Sequence, residues 1–454
     1  MGKSKKKKQG VRKKITQFEI IRPHVAGVDV SDNNGMMIAY PISSSEIMVE
    51  EYECYTRDLH RLSATLKSHG IESVAMESTG VYWIPLFLLL QKDGFEVYLV
   101  NAKHTKNVTG RKSDEGDAEW IQKLHRCGLL TASFQPDNQT RSLRSVVRHR
   151  DTLVKNRSTA LNRMQKALEQ MNLKIHTVIS DIDGKTGLAI INAILSGERD
   201  PEKLADLRDK RIKASREEII KSLEGFWSDE HLFELSQCYR MYEFHREMIY
   251  DCDKKIEELL QEIIKSNNNG VMPKLAKLER KRNYKNNLSF NATDYLYELN
   301  KVDIAGKNGI MGISELTALI LYAEVGALLF YFKNAKHFTS WLGLAPNTKV
   351  SGGKIISSRI LKKKHFGGQA FRMAALGLCN SIGPLGDYYR RIRSNAGKQK
   401  AIVALARKLA VIYYNMITNK EEYNPQYLID YHKKWKEQKI KNVEKYLAKL
   451  KKLA

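Results

Sequence analysis

Four carboxylates in the first quarter of the chain, Asp29, Glu77, Asp114 and Asp117, stand out against a net charge of +25. A chain this basic is expected to bind a polyanion. Acids set into a basic surface would repel that polyanion unless something offsets them. A divalent cation does so, by bridging carboxylates to phosphate oxygens and activating the attacking group. The expected chemistry is metal-assisted attack on a phosphodiester, with Mg²⁺ (or Mn²⁺) as the ion. A second reactive candidate is Ser351, which precedes two glycines and Lys354 in VSGGK. Small residues let the backbone approach a phosphate closely, and the lysine would neutralise it. The spacing is not that of a P-loop. Read alone, the segment is a glycine turn after a strand. Read singly, Asp114 or Asp117 is a helix-dipole partner. Glu115 in the same turn rivals them by spacing, and Asp32 suits a hairpin turn.

The elements around the acids read as an α/β domain over residues 23–135. HVAGVDV is a buried strand, SDNNG a hairpin turn and MMIAYPI the returning strand. EEYECYTRDLHRLSATLKSHG has helical periodicity, ESVAM is a short strand that delivers Glu77, VYWIPLFLLLQKDG is a helix and FEVYLV another strand. A polar loop, NAKHTKNVTGRKS, leads to a helix from Asp114. Strands alternating with helices predict a mixed sheet covered on both faces. Asp29 and Glu77 then sit at strand ends, where α/β sheets place their sites. Asp114 and Asp117, three apart, share a helical face.

Residues 136–299 read as a charged, helical, coiled-coil or linker region with two long amphipathic helices. Between these helices, DIDGKTGLAIINAILSGERDP is expected to break helicity, and SNNNGVMPKLAKLERKRNYKNN to be a linker. Residues 300–420 read as a mostly α unit. Its GKNGIMGISELTALILYAEVG resembles a helix-hairpin-helix element whose glycine turn offers amides to a phosphate. Residues 1–22 form a basic arm expected to be disordered, and 421–454 a lysine-rich helical tail. Lys354, Arg372, Arg390, Arg391, Arg393, Lys398, Lys400, Arg407 and Lys408 are candidate phosphate contacts, with a solvated helix face as the plain alternative. Tyr388, Tyr389 and Trp341 are expected in the core.

At 454 residues, two or three domains are expected. The five cysteines are scattered with no CxxC pair, which excludes a zinc site or a disulfide framework as the expectation. The charged N-terminus lacks the pattern of a signal peptide, and runs such as IPLFLLL are too short to span a bilayer. The expectation is a soluble, cytoplasmic protein with no membrane partner.

The acid order resembles the ribonuclease H-like fold of RuvC-type nucleases. GVDVS, ESTGVYW and RKSDEGDAEWIQKL are similar to the DEDD domain of the IS110 family of transposases. WLGLAPNTKVSGGK, RMAALGL and LGDYYRRIRSNAGKQKAIVALARKLAVIYY resemble that family's C-terminal domain, particularly in its IS1111 group. DGKTGLAIINAILSGERDPEKLADLRD is similar to the group's linker region. The resemblance implies that Asp29, Glu77, Asp114 and Asp117 are metal ligands and that Ser351 is a nucleophile forming a phosphoserine with DNA. It also implies a structured non-coding guide RNA, donor and target DNA as partners, and a homodimer or homotetramer in a bacterial or archaeal nucleoid. Ser351 lies 234 residues beyond Asp117, so the implied site joins two domains. The two terminal lysine-rich extensions do not match the family pattern. Two readings compete with this one: a hydrolytic RuvC-like Holliday-junction nuclease that needs the acids but not Ser351, and a non-catalytic RNA-binding protein.

Overall fold

The computed structural model describes residues 19–30, 35–43, 46–78, 80–100, 114–279, 286–360 and 365–451. Most of the basic arm, the SDNN turn and the polar loop before Asp114 lie outside the described residues. The chain divides into two compact units, Met1–Gln135 and Pro136–Ala454.

The first unit is built on five strands, β1 (Val25–Val30), β2 (Gly35–Pro41), β3 (Ile47–Glu53), β4 (Ser73–Glu77) and β5 (Glu96–Val100). Their order is β3-β2-β1-β4-β5, antiparallel from β3 to β1 and parallel from β1 to β5. β3 corrects the sequence reading, which begins a helix here. Its backbone pairs with β2 along its whole length, from Gly35↔Glu53 to Pro41↔Ile47. That ladder outweighs the weak helical pattern of a glutamate-rich stretch. The helix α1 starts later, at Thr56–Ser68.

Alternation along the strands separates two faces. Ala26, Val28, Val30, Val74, Met76 and Leu99 pack with α1 and with α2 (Trp83–Lys92) through Leu59, Leu62, Leu86 and Phe87. The opposite face carries Val25, Gly27, Asp29, Ser73, Ala75 and Glu77. It is covered by α3 (Asp114–Arg126). The approach there is close. A Cβ on Gly27 would lie 2.3 Å from the Gln122 nitrogen and 2.4 Å from the Ala118 oxygen. Ile21 and Arg22 both donate backbone amides to the Arg126 carbonyl, so the last residues of the expected arm belong to this unit.

The second unit is mostly helical. α4 (Asn138–Gln170) and α8 (Asp229–Asn267) run antiparallel. Gln139 donates to Ser266 at one end, and Leu153 meets Ile249 and Cys252 further along. At the far end Met164 and Leu168 share a core with Leu235 and Cys238. The seam is polar at one point, where buried Arg150 donates to buried Asp253 at 2.5 Å and to the carbonyls of Asn286 and Asn287. A pair like this fixes register, because any slip would strand a buried charge. The stretch between the long helices contains α5 (Lys185–Leu195), α6 (Pro201–Ala205) and α7 (Arg216–Leu223). α5 overturns the expected break. Glycine opens this helix rather than interrupting it, and Ile190, Ile191 and Ile194 are fully buried in the core at the tip of the long pair.

At the other end α4 meets a domain built from α9 (Ala292–Asn300), α10 (Glu315–Val325), α11 (Ala335–Trp341), α12 (Phe366–Gly377), α13 (Pro384–Ala396) and α14 (Lys398–Asn419). Arg148 grips the buried Glu324 carboxylate with Nε at 2.8 Å and Nη2 at 2.9 Å. Phe338 is fully buried among the rings of Phe332, Trp341, Phe371, Tyr413 and Tyr414. α14 is the one described helix long and apolar enough to cross a membrane. Half of its apolar stretch is buried, and Leu405, Leu409 and Tyr413 belong to this core. The chain ends in the lysine-rich helix α15 (Gln426–Lys451).

The Gly27 contact yields a direct test. Gly27→Ala forces a methyl group onto the α3 backbone, which cannot swing away as a side-chain end can. Overpacking of this kind costs about 1–3 kcal/mol. Thermal unfolding of the full chain followed by circular dichroism is expected to show the first unit melting several degrees lower.

Candidate functional site

Asp29 and Glu77 are brought side by side by strand register. β1 and β4 are parallel, with Gly27 opposite Ala75 and Val28 opposite Met76. One further step sets Asp29 level with Glu77 on neighbouring strands, about 4.8 Å apart in the sheet. Both side chains are half-buried at the carboxyl ends of their strands. Both lie on the face that α3 covers.

The helix register brings the remaining pair to the same end. Gln122 donates to the carbonyl of Val25, and Gly27 lies against Ala118 and Gln122. Two strand residues advance about 6.6 Å and four helical residues about 6 Å. The third step of this series places the first residue of α3, Asp114, level with Asp29 by its backbone position. On the neighbouring strand His125 sits against Ser73. Two similar steps place Asp117, which is exposed, level with Glu77. The helix N-terminus, with its positive dipole end, therefore faces the strand ends that carry the two acids. The small residues Gly27, Ala75 and Ala118 permit the approach.

The donor set consists of hard carboxylate oxygens, which suit Mg²⁺ or Mn²⁺ and not a soft-ligand metal. Among the described residues, no three His, Cys, Asp or Glu side chains already stand close enough to hold an ion. The fit therefore rests on shared face and level. In this set Asp114 and Asp117 share the helical start with Glu115, which spacing alone does not separate from them.

Behind the acids the α3 face is anchored by His125. Its Nε2 lies 2.8 Å from Ser73 Oγ, which itself donates to the Glu96 carbonyl at 3.0 Å. With that hydroxyl proton committed, His125 Nε2–H is the donor to Ser73. The ring packs on Tyr98 at 4.6 Å between centroids. Burial, helped by the nearby Arg22 charge, pushes its pKa down to about 4. Nothing in the sequence signals this anchor, since a lone histidine and serine 52 residues apart carry no pattern.

Ser351 lies in the second unit, on a β-ribbon. β6 (Lys349–Ser351) and β7 (Lys354–Ser357) pair antiparallel, with Ser351 opposite Lys354. The ribbon continues outward from a bridge between Pro346 and Ile360 and an amide bond from Asn347 to the Arg359 carbonyl. Gly352 and Gly353 form the turn with φ of +55° and +77°. Two positive φ values in succession define the tight hairpin turn that glycine pairs favour. The ribbon is a strand, glycine turn and strand set into a unit that is otherwise mostly helical. Residues 346–356 are all exposed, so the serine sits beside the tip of a projecting arm. Cross-strand pairing sets its Cβ about 5 Å from that of Lys354.

The glycine turn between α9 and α10 does not offer its amides to a phosphate. Asp303 accepts from Gly306 at 2.6 Å and from Asn308 at 3.2 Å. Lys307, Gly309 and Ile310 donate to the carbonyls of Glu279, Gly306 and Ile304. These donors are spent internally, and a carboxylate stands where a phosphate would have to come.

The other cationic candidates differ among themselves. Arg372 is partly buried and donates to the Gly343 carbonyl at 2.9 Å, and burial lowers its pKa. Arg390 bonds Asp387 and the Ser381 carbonyl. Arg391 and Lys408 stack over Tyr388. Arg393, Lys398 and Lys400 are exposed, and Arg407 is half-buried. Tyr389 is buried, as expected, whereas Tyr388 and Trp341 are half-buried.

Two family models match. Residues 26–173 match the transposase model of the IS110 DEDD domain, and residues 308–382 match the model described as the transposase IS116/IS110/IS902 family. The first match contains Asp29, Glu77, Asp114 and Asp117. The second contains Ser351, Lys354 and Arg372. No curated protein matches the chain.

His125 makes this face sensitive to acid. It stays neutral in the fold down to about pH 4 but takes a proton near pH 6.5 once unfolded. Its neutral burial is fully compatible with the fold above pH 6.5, and stability is lost as pH falls from there towards 4. The drop in melting temperature between about pH 7.5 and 5 is expected to shrink in His125→Gln, measured against the unsubstituted chain.

Proposed function

We propose that this chain, which belongs to the IS110 transposase family and is a DNA transposase, cuts and rejoins DNA through a serine ester. The observation that carries the reading is the alignment of Asp29 and Glu77 on adjacent strand ends beneath the start of α3. Ser351 on its exposed ribbon supplies the complementary part. The Oγ of Ser351 attacks a phosphodiester phosphorus. The bond to one sugar oxygen breaks, the serine proton is given up, and that oxygen leaves as a hydroxyl. A phosphoserine ester then holds the other DNA end. Attack by a hydroxyl of the partner strand reverses the step, rejoins the DNA and frees the serine. Lys354, directly across the ribbon, offsets phosphate charge as the serine engages it.

Asp29, Glu77, Asp114 and Asp117 would hold Mg²⁺ or Mn²⁺. Bound there, the ion supplies positive charge to phosphate and leaving oxygens. The acids would orient the ion, and with it bound their carboxylates would no longer repel the DNA phosphates. Sequence choice is assigned to base pairing by a structured guide RNA, a reading supported by resemblance to the family and by the chain's net charge of +25. The helix-hairpin-helix-like α9–α10 pair and a coiled-coil character for α4 and α8 belong to the same proposal as packing elements. A dimer or tetramer would bring the two parts of the site together.

The experiment is DNA cleavage by the full chain with guide RNA and Mg²⁺, resolved on denaturing gels. A covalent protein–DNA adduct is expected, and Ser351→Ala should abolish it. Asp29→Ala and Glu77→Ala are expected to lower cleavage about 10³-fold or more while leaving RNA binding intact. Cleavage that persists in Ser351→Ala would move the reaction to hydrolysis. Recombination unchanged in either acid variant would remove the metal assignment.

A further inference from the structure

The first turn of α12 and one face of α4 border an open cavity of about 530 Å³. Arg148, Asp151 and Lys155 line it from α4, and Phe366, Gln369 and Arg372 from α12. The charges here do not cancel. Arg144 and Arg148 share the single carboxylate of Glu324. Lys155 pairs with Asp151. Among the described residues, Arg372 bonds a neutral partner, the Gly343 carbonyl at 2.9 Å. Four cations thus stand against two carboxylates. No carboxylate raises the pKa of Arg372, which burial alone lowers. Arg144 is pushed down to about 10, by burial first and then by repulsion from Arg148 and Arg141, against the pull of Glu324. The carbonyl end of α10, which accepts from Arg144, adds about half a negative charge, and the start of α12 about half a positive one. These partial charges offset, so an excess of about two positive charges remains.

The cavity lies at the root of the ribbon that carries Ser351. Arg372 holds Gly343, shortly before the bridge of Pro346 with Ile360 that starts the ribbon. Gly368 of the same helix meets the Leu342 carbonyl so closely that a Cβ would lie 2.1 Å from its oxygen. Cavity wall and ribbon root are therefore locked together. About 16 Å of extended chain separates Pro346 from Ser351. Phosphates follow one another along a duplex strand at about 3.4 Å of axis. DNA engaged at Ser351 thus has further phosphates at the distance of the root.

We propose that this cavity binds a backbone phosphate of the DNA, distinct from the one that Ser351 attacks, with Arg372 as its main contact and Arg148 and Lys155 on the facing wall. Arg372 keeps its bond to Gly343 and turns its other N–H groups to the phosphate. An anchor at the root sets where along the strand the serine meets its target. The proposal rests on the reading that the chain acts on DNA at this ribbon. It needs neither the ester nor the metal.

The test measures DNA affinity of the full chain with guide RNA, using duplexes in which single phosphates are replaced in turn by uncharged methylphosphonate. Replacement at one or a few positions away from the cleaved bond should weaken binding about tenfold in the unsubstituted chain. The same replacement should have no further effect in Arg372→Gln, which itself should lose about tenfold with unmodified DNA and about 0.9 in salt slope. Lys155→Ala should show the same pattern more weakly. Its side chain is 72% exposed, so it carries the test if Arg372→Gln melts early. Removing the exposed Lys210 and Lys213 between α6 and α7 should change little, and guide-RNA affinity should hold in every variant. Methylphosphonate losses of equal size in both variants and the unsubstituted chain would overturn the site. So would an equal drop in the Lys210 and Lys213 control, or a drop confined to guide RNA. Adduct formation in the same samples separates the two readings. An Arg372-dependent phosphate position without a Ser351 adduct keeps the site and removes the ester. A Ser351-dependent adduct without such a position does the reverse.

Discussion

The first unit depends on one close approach, the backbone of α3 lying against Gly27. No side chain fits there, so helix and strand are held at a fixed separation and a fixed register. That register carries the helix start to the carboxyl ends of β1 and β4. The parallel pairing of these strands sets Asp29 beside Glu77. The acids are thus arranged by contacts several residues away from them, at Val25–Gln122, Gly27–Ala118 and Ser73–His125. Packing elsewhere on the face, rather than any attraction between like charges, sets the strand and helix positions that carry these residues.

The second unit separates stability from exposure. Its cores lie at the two ends of the α4–α8 pair, one around Ile190 and Leu235 and one around Phe338 and Tyr413. The buried Arg150–Asp253 pair and the Arg148–Glu324 pair hold the long helices in register with them. From this frame the ribbon of Ser351 projects with little burial of its own. Two glycines close its turn at positive φ, so the serine is held by backbone geometry at an accessible tip.

Much of the candidate site was legible because strand alternation and helical spacing are local. GVDV and ESVAME predict which residues can share a face, and the turn residues of SGGK predict a hairpin end. The failures are non-local. Glu50–Glu53 reads as the start of a helix by itself and becomes part of β3 because β2 offers a free edge. Residues 185–195 look broken by glycine, yet their isoleucines find a core that the long helices create. The glycine turn before α10 looks open to phosphate, and only the fold brings Asp303 and the Glu279 carbonyl onto its amides.

The sequence by itself determined the residue types, the family likeness, the strand-end position of Asp29 and Glu77, and the turn beside Ser351. These follow from short-range geometry, from the strand and helix repeats of about 2 and 3.6 residues and from the φ preference of glycine. The tertiary structure alone decided that the strand-end residues Asp29 and Glu77 lie on the face packed against the helix that starts at Asp114. It also decided that α4 and α12 border a cationic cavity at the root of the Ser351 ribbon. Both facts depend on which surfaces pack together, and packing is settled by long-range complementarity that no local pattern encodes.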